Sequence, residues 1–269
     1  MSAVMQPVLV NASDISRWAS HLWWPALRIG GFVLTAPIAS EASIPSPVKI
    51  ALSLGLLFIL APLAPVPAAL SIFSAAGVLA AVEELLIGIA IGMVVQLAFE
   101  ALAFAGQSVS LTMGLGFATL VDPQHGADTP VLGQLFTLFG TLTYLAVNGH
   151  LVLIGALAMS FKTLPIGAAL DKNLLWSVAL WGARVFETGL LVALPAVVAL
   201  VIVNLALGVV TRAAPQLNLF GIGFTITLLS GFLVLIVGLD GLMVGISSLI
   251  DSALSAAAEL VGAGAGQVP

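Results

Sequence analysis

Long apolar stretches separated by short polar breaks dominate this chain. The first apolar segment runs from Trp18 to about Ala39, with Arg28 inside it. The connector IASEASIPSPVKI follows, and Pro45 and Pro47 mark it as a break. A second segment runs from Val48 to about Leu63, where Pro62, Pro65 and Pro67 end it. A third predicts one long helix from Ile72 to about Gln107. The fourth, Val131 to about Phe161, spans roughly 45 Å as a helix, against a hydrocarbon core of ~30 Å. It must tilt, break near Gly149 or leave the bilayer. The fifth, Leu174 to Val210, is also too long for one crossing, and Pro195 should kink or split it. The last runs from Leu219 to about Leu249, and the tail at 251–269 is expected to fray. This pattern predicts an all-α integral membrane protein of about six apolar helical segments, several overlong or kinked.

Between the third and fourth segments lies GQSVSLTMGLGFATLVDPQHGADTP, residues 106–130. Gly106, Gly114 and Gly116 loosen its backbone. Pro123 bars a helix and pushes Asp122 away from α. Met113, Leu115, Phe117 and Leu120 nevertheless require burial. Lipid cannot satisfy such a backbone, so the stretch must be covered by protein or line a cavity. We expect this central loop to be the working part, facing a conduit. Gln107 belongs to a stripe of Gln96, Glu100, Ala103, Ser110 and Gly114 at 4-3-4-3-4 spacing, on one helix face. Such a stripe is either a helix–helix seam or a face toward a wet lumen.

Composition narrows the class. Of 269 residues, 61% are hydrophobic and 7% charged, which excludes a soluble domain. A net charge of −5 leaves no basic footprint for nucleic acid. There is no cysteine, hence no disulfide framework and no thiolate metal site. The N-terminus lacks the basic region of a cleaved signal peptide, so the first segment is expected to stay in the mature protein. Trp18, Trp23 and Trp24 read as an interfacial aromatic belt.

The few charges inside apolar segments carry more information. Glu83, Glu84 and Glu100 would each cost about 2.5–3.5 kcal/mol at mid-bilayer. The third helix is therefore expected to pack inside protein, burying these carboxylates, or to leave the hydrocarbon over part of its length. Arg28 should snorkel or pair with a neighbouring carboxylate. Arg184 and Glu187, three apart, are expected to form a structural ion pair. Gly88/Gly92 and Gly241/Gly245 allow close helix approach. The histidines form no HExxH, and no G-x-S-x-G elbow or Walker A sequence is present. No catalytic, cofactor-binding or metal-binding residue is expected.

The stretch Arg212–Gly223, RAAPQLNLFGIG, resembles the signature of the FliR family of flagellar type III export proteins, R-x-A-P-Q-x-N-x-F-x-x-G-F-P. Ala214, Pro215, Gln216, Asn218, Phe220, Gly223 and Phe224 occupy the matching places, and Thr225 stands where proline is usual. Gly106-Gln107, Met113 to Gly116, Asp122-Pro123 and Gly149-His150 also resemble the family. The resemblance covers nearly the whole chain.

It implies a non-enzymatic subunit that assembles with FliP-like and FliQ-like subunits into a closed helical gate. That gate lies in the bacterial inner membrane, within the flagellar basal body, partly raised toward the periplasm. Unfolded flagellar proteins pass outward through it, and an FlhB-like switch protein wraps it. Residues 1–173 would be FliP-like, with the central loop plugging the lumen. Residues 174–269 would form a FliQ-like helical hairpin with its turn at 211–218. Arg212, Pro215, Gln216, Asn218 and Phe220 would mark that turn, near the cytoplasmic entrance. The alternatives are a homologous subunit of a virulence secretion system and, in a different class, a small-solute transporter. The transporter class often shows inverted repeats, and no convincing repeat relates the two halves.

Overall fold

The computed structural model describes residues 12–67, 70–72, 74–116, 131–168, 172–213 and 223–262. Its regular elements there are all helical. They are α1 (Ala12–Thr35), α2 (Ser46–Leu60) with a 3-10 turn at Ala61–Leu63, α3 (Ala75–Thr112), α4 (Val131–Ala146), α5 (Gly149–Thr163), α6 (Lys172–Ala213), α7 (Phe224–Val237) and α8 (Leu239–Gly262). Four helices among these residues are long and apolar enough to cross a membrane, or five spans if the bent α4–α5 pair counts as one. The chain is an all-α membrane protein. α1, with Arg28 inside it, is not among those spans.

Two of the apolar segments break. The fourth breaks at Val147-Asn148, where Asn148 takes φ 55 and the path bends by 67°. A side chain at Gly149 would overlap the Tyr144 ring. The last segment, expected as one helix, divides at Gly238 into α7 and α8. The fifth does not split: α6 continues through Pro195 for 42 residues. The tail, expected to fray, is helical as far as Gly262, because Ile250, Ala253, Leu254, Ala257, Leu260 and Val261 recur at helical spacing and are buried.

The helices contribute to two compact units. One comprises Met1–Met93, Leu153–Leu175 and Ala258–Pro269; the other comprises Val94–Val152 and Trp176–Ala257. Both draw on early and late parts of the chain.

In the first unit α1 and α3 pack backbone to backbone. A Cβ at Gly88 would overlap the Arg28 carbonyl oxygen, one at Gly31 that of Leu85, and one at Gly92 the Thr35 hydroxyl. The small pair Gly88/Gly92 thus has α1 as its partner. Thr35 Oγ1 donates to the Ile89 carbonyl at 3.1 Å across this seam. Trp24, expected in an interfacial belt, is fully buried, whereas Trp23 is exposed.

Arg28 sits at the centre of this unit with no exposed surface. Its Nε and Nη2 donate to the two Glu84 carboxylate oxygens at 2.7 and 2.8 Å. Nη1 donates to the carbonyl and hydroxyl of Ser160 at 2.7 and 3.1 Å, and Nη2 also donates to the Leu164 carbonyl at 2.8 Å. A guanidinium has five N–H donors in a fixed fork, and each has an acceptor here. The Phe161 ring lies 4.6 Å from the guanidinium carbon. Arg28 therefore joins α1 to α3 and caps the C-terminal end of α5, where a positive charge is favourable.

The second unit rests on the later half of α3. Gly106 and Gly133 meet where α3 crosses α4; a side chain at Gly106 would overlap the Leu132 carbonyl. Phe99 and Tyr144 stack edge to face, with centroids 5.7 Å apart. On the α6 side the Trp181 indole donates to the Val94 carbonyl at 2.9 Å, and Gly189 lies against Ala101. Gly245 of α8 lies against Val192 of α6, whereas Gly241 is open.

Removing one partner of the buried pair should destabilise the protein strongly. Glu84→Ala is expected to cost about 3–5 kcal/mol, because the guanidinium is left buried and unpaired. The swap Arg28→Glu/Glu84→Arg should not rescue it, since a carboxylate at 28 would face the Ser160 and Leu164 carbonyls. Thermal unfolding of the detergent-purified protein checks both. A swapped variant as stable as the parent would contradict this role for Arg28.

Candidate functional site

Seven residues of the central stretch prolong α3 rather than loosening it. Gly106 is helical and buried, and its missing side chain serves close packing on α4. The helix ends only after Thr112. Gly114 takes φ 83, a left-handed conformation that favours glycine. The Gly114 N–H donates to the Leu111 carbonyl at 3.0 Å, and the Leu115 N–H donates to the Ser110 carbonyl at 3.1 Å. This pair of bonds is a Schellman cap. Met113 beside it is completely buried, while Leu115 and Gly116 are half-buried. Phe117, Leu120, Asp122 and Pro123 lie outside the described residues.

The polar stripe on α3 is exposed at its centre. Glu100 and Gln107 face outward together with Phe104 and Leu111, and Gln96 is half-buried. Gln96 Nε2 donates to Glu100 Oε1 at 2.9 Å. Ser110, at the edge of the stripe, turns inward. Of the three carboxylates expected to be buried, only Glu84 is fully so. Glu83 is half-buried, and Glu100 is exposed because its helical position lies on this outward face.

Arg184 and Glu187, expected to pair, are both exposed. No ion pair joins them among the described residues, in contrast to Arg28 and Glu84. Three-residue spacing puts the two charges on one side of α6, but nothing buries them and forces them together. Arg212 is exposed at the end of α6. Pro215, Gln216, Asn218 and Phe220 lie outside the described residues. No three His, Cys, Asp or Glu side chains converge on a metal-sized site among the described residues.

Sequence reasoning passed over one residue here. Asn204 is the sole hydrogen-bonding side chain between Thr188 and Thr211. A lone amide in so long an apolar run was the available signal, because polar groups within membrane helices are costly unless partnered. Its Nδ2 donates to the Thr112 carbonyl at 3.0 Å, and its Oδ1 accepts from the Thr227 hydroxyl at 3.2 Å. It thereby links the end of α3 to α6 and α7.

Comparison with known proteins agrees with this all-helical, apolar chain. Residues 19–253 match the model of bacterial export proteins, family 1. The chain is 42% identical over 226 residues to the flagellar biosynthetic protein FliR of Escherichia coli K12, covering 82% of this chain and 85% of that one. It is 40% identical to FliR of Pectobacterium carotovorum, over 84% of this chain and 86% of that one. FliR of Bacillus subtilis is 28% identical over 229 residues, covering 84% and 88% of the two chains. The chain belongs to bacterial export protein family 1, and within it to the FliR family.

Proposed function

We propose that this protein is a non-enzymatic subunit of a flagellar type III export gate in the bacterial inner membrane, conducting unfolded flagellar proteins outward. Its membership of the FliR family carries this reading. The helix lengths support it. α3 and α6, with 38 and 42 residues, are about 57 and 63 Å long at 1.5 Å per residue. Both exceed a ~30 Å hydrocarbon core, as they should in an assembly partly raised toward the periplasm. FliP-like and FliQ-like subunits are the natural partners for the many exposed apolar side chains on α6 and α7. The FliP-like part is residues 1–173 and the FliQ-like hairpin is residues 174–269. The turn at 211–218 is the surface offered to an FlhB-like protein near the cytoplasmic entrance.

The outward face of Gln96, Glu100 and Gln107 suits a wet lumen, which can hydrate an amide and a carboxylate that lipid cannot. Residues 106–121, the last turns of α3 and the segment that leaves it, serve as the plug. It carries no charge, and its described apolar residues can seal without holding a substrate tightly. On this reading Arg184 and Glu187 pair with each other once the assembly buries them.

Affinity purification of the tagged chain from its native membrane tests the assignment. FliP-like and FliQ-like subunits should co-purify in a complex of fixed composition. Recovery of a chain that moves a small solute alone would favour the transporter instead. A second expectation concerns the plug. Deleting Gly114–Thr119 should leave the complex assembled but leaky to ions and small solutes. Normal impermeability with the complex present and able to export would remove the plug, whereas loss of assembly would make this segment a wall connector.

A further inference from the structure

Within the second unit, α6, α7 and α8 enclose a half-open groove of about 720 Å³. It follows α6 from Thr188 to Ala199, about 16 Å at 1.5 Å per residue. Asn204 meets Thr227 and Val192 meets Gly245, so α6 runs antiparallel to α7 and α8. Thr188 and Ser248 therefore share one end of the groove, and Ala199 and Gly238 share the other. Small residues make the space. Pro195 and Ala196 line it from α6, opposite Gly238 and Gly241, and a Cβ at Gly241 would meet nothing within 4 Å. The buried Phe136 of α4 lines it as well.

The groove has a polarity. Its lining is apolar apart from the hydroxyls of Thr188 and Ser248, both at one end. One turn beyond them the helices carry the exposed Arg184, Asp251 and Ser252. Beyond the other end come the exposed apolar Ile202 and Ile236. Asp240, next to Gly241, is exposed and is not part of the lining.

Its chemistry and its size select an occupant. Water finds too few hydrogen-bond partners in an apolar space, whereas hydrocarbon restores the dispersion contacts of the lining. The groove averages about 45 Å² in section, against ~80 Å² for a helix 10 Å across. A helix of a neighbouring subunit can cover its mouth but cannot enter it. The length matches the chains of one bilayer leaflet, which reach ~15 Å, half of a ~30 Å hydrocarbon core.

We propose that this groove seats an acyl chain of a membrane phospholipid, with the headgroup end at Thr188 and Ser248 and the free end at Ala199 and Gly238. The site needs only the packing of α6 on α7 and α8 and a surrounding bilayer. It is independent of what the protein exports and of the plug.

The test uses the full chain in its native complex, reconstituted into vesicles of phosphatidylethanolamine and phosphatidylglycerol. A trace of photo-reactive phospholipid is added, with a diazirine either near the free end of one acyl chain or near its ester. Labelled residues are mapped by mass spectrometry. The free-end probe should label residues around Ala199 and Gly238, and the ester-end probe residues around Thr188 and Ser248. Gly241→Leu should abolish both labels in the groove while labelling elsewhere on the chain persists. That variant should fold as the parent does, because nothing stands in the way of its side chain and leucine is a better helix former than glycine.

No label in the groove of the parent would overturn the proposal, and so would the same residues labelled by both probes alike. Labels that survive in Gly241→Leu would mark passing bilayer lipid and overturn it too. If Gly241→Leu does not assemble, the two maps of the parent decide. A photo-reactive amino acid in place of Ala199 gives a further check: crosslinks to a neighbouring subunit instead of lipid would make the groove a protein contact and overturn the lipid site.

Discussion

A guanidinium withdrawn from water loses several kcal/mol of solvation unless protein atoms replace every lost partner. Arg28 meets this condition through Glu84, Ser160 and Leu164. The demand is geometric as well as energetic. The planar fork accepts its partners in one arrangement, so α1, α3 and α5 must meet at one height and one rotation. Gly88 lets α3 come near enough to the Arg28 backbone for Glu84 to reach the side chain. The glycines and the ion pair are thus one device. Bulkier residues at the seam would lift α3 off α1 and strand both charges.

The second unit solves a related problem without charge. Carbonyls inside an apolar environment must be bonded, and long apolar helices supply few side chains able to do it. The Trp181 indole reaches Val94, and Asn204 reaches Thr112. Elsewhere glycine allows direct backbone approach, as at Gly106 and Gly189. Close packing therefore carries most of the cohesion, and the scarce polar contacts choose its register. A polar contact at a helix end differs from the Arg28 cluster in consequence. It can be exchanged for water when the end moves, whereas the Arg28 cluster has no such alternative.

Apolar run length was enough to read the helices, because span length and backbone satisfaction leave few choices. Which partner each polar residue finds was not readable. Arg28 and Glu84 are 56 residues apart, and nothing local distinguishes Glu84 from Glu83. Glycine misled at Gly106, where the sequence cannot tell close approach from loose backbone. The same residue type was read correctly in kind at Gly114, whose positive φ does end a helix. The spacing of Ile250, Ala253, Leu254, Ala257 and Leu260 was available in the tail, yet its small residues hid it. Arg184 and Glu187 show what spacing leaves open: it permits a pair, but both are exposed in the single chain, and only burial in an assembly would force them together.

The stripe on α3 is where structure and function meet most directly. If it lines the conduit, an exported chain must pass it. A photo-reactive amino acid in place of Gln107, in cells whose export is stalled by a substrate fused to a stably folded domain, measures this contact. Crosslinks to the stalled substrate are expected at Gln107 and absent at the buried Val109 on the opposite side of the helix. Crosslinks at Gln107 to lipid or neighbouring subunits alone, with the stalled substrate demonstrably in the gate, would contradict a lumen on this face.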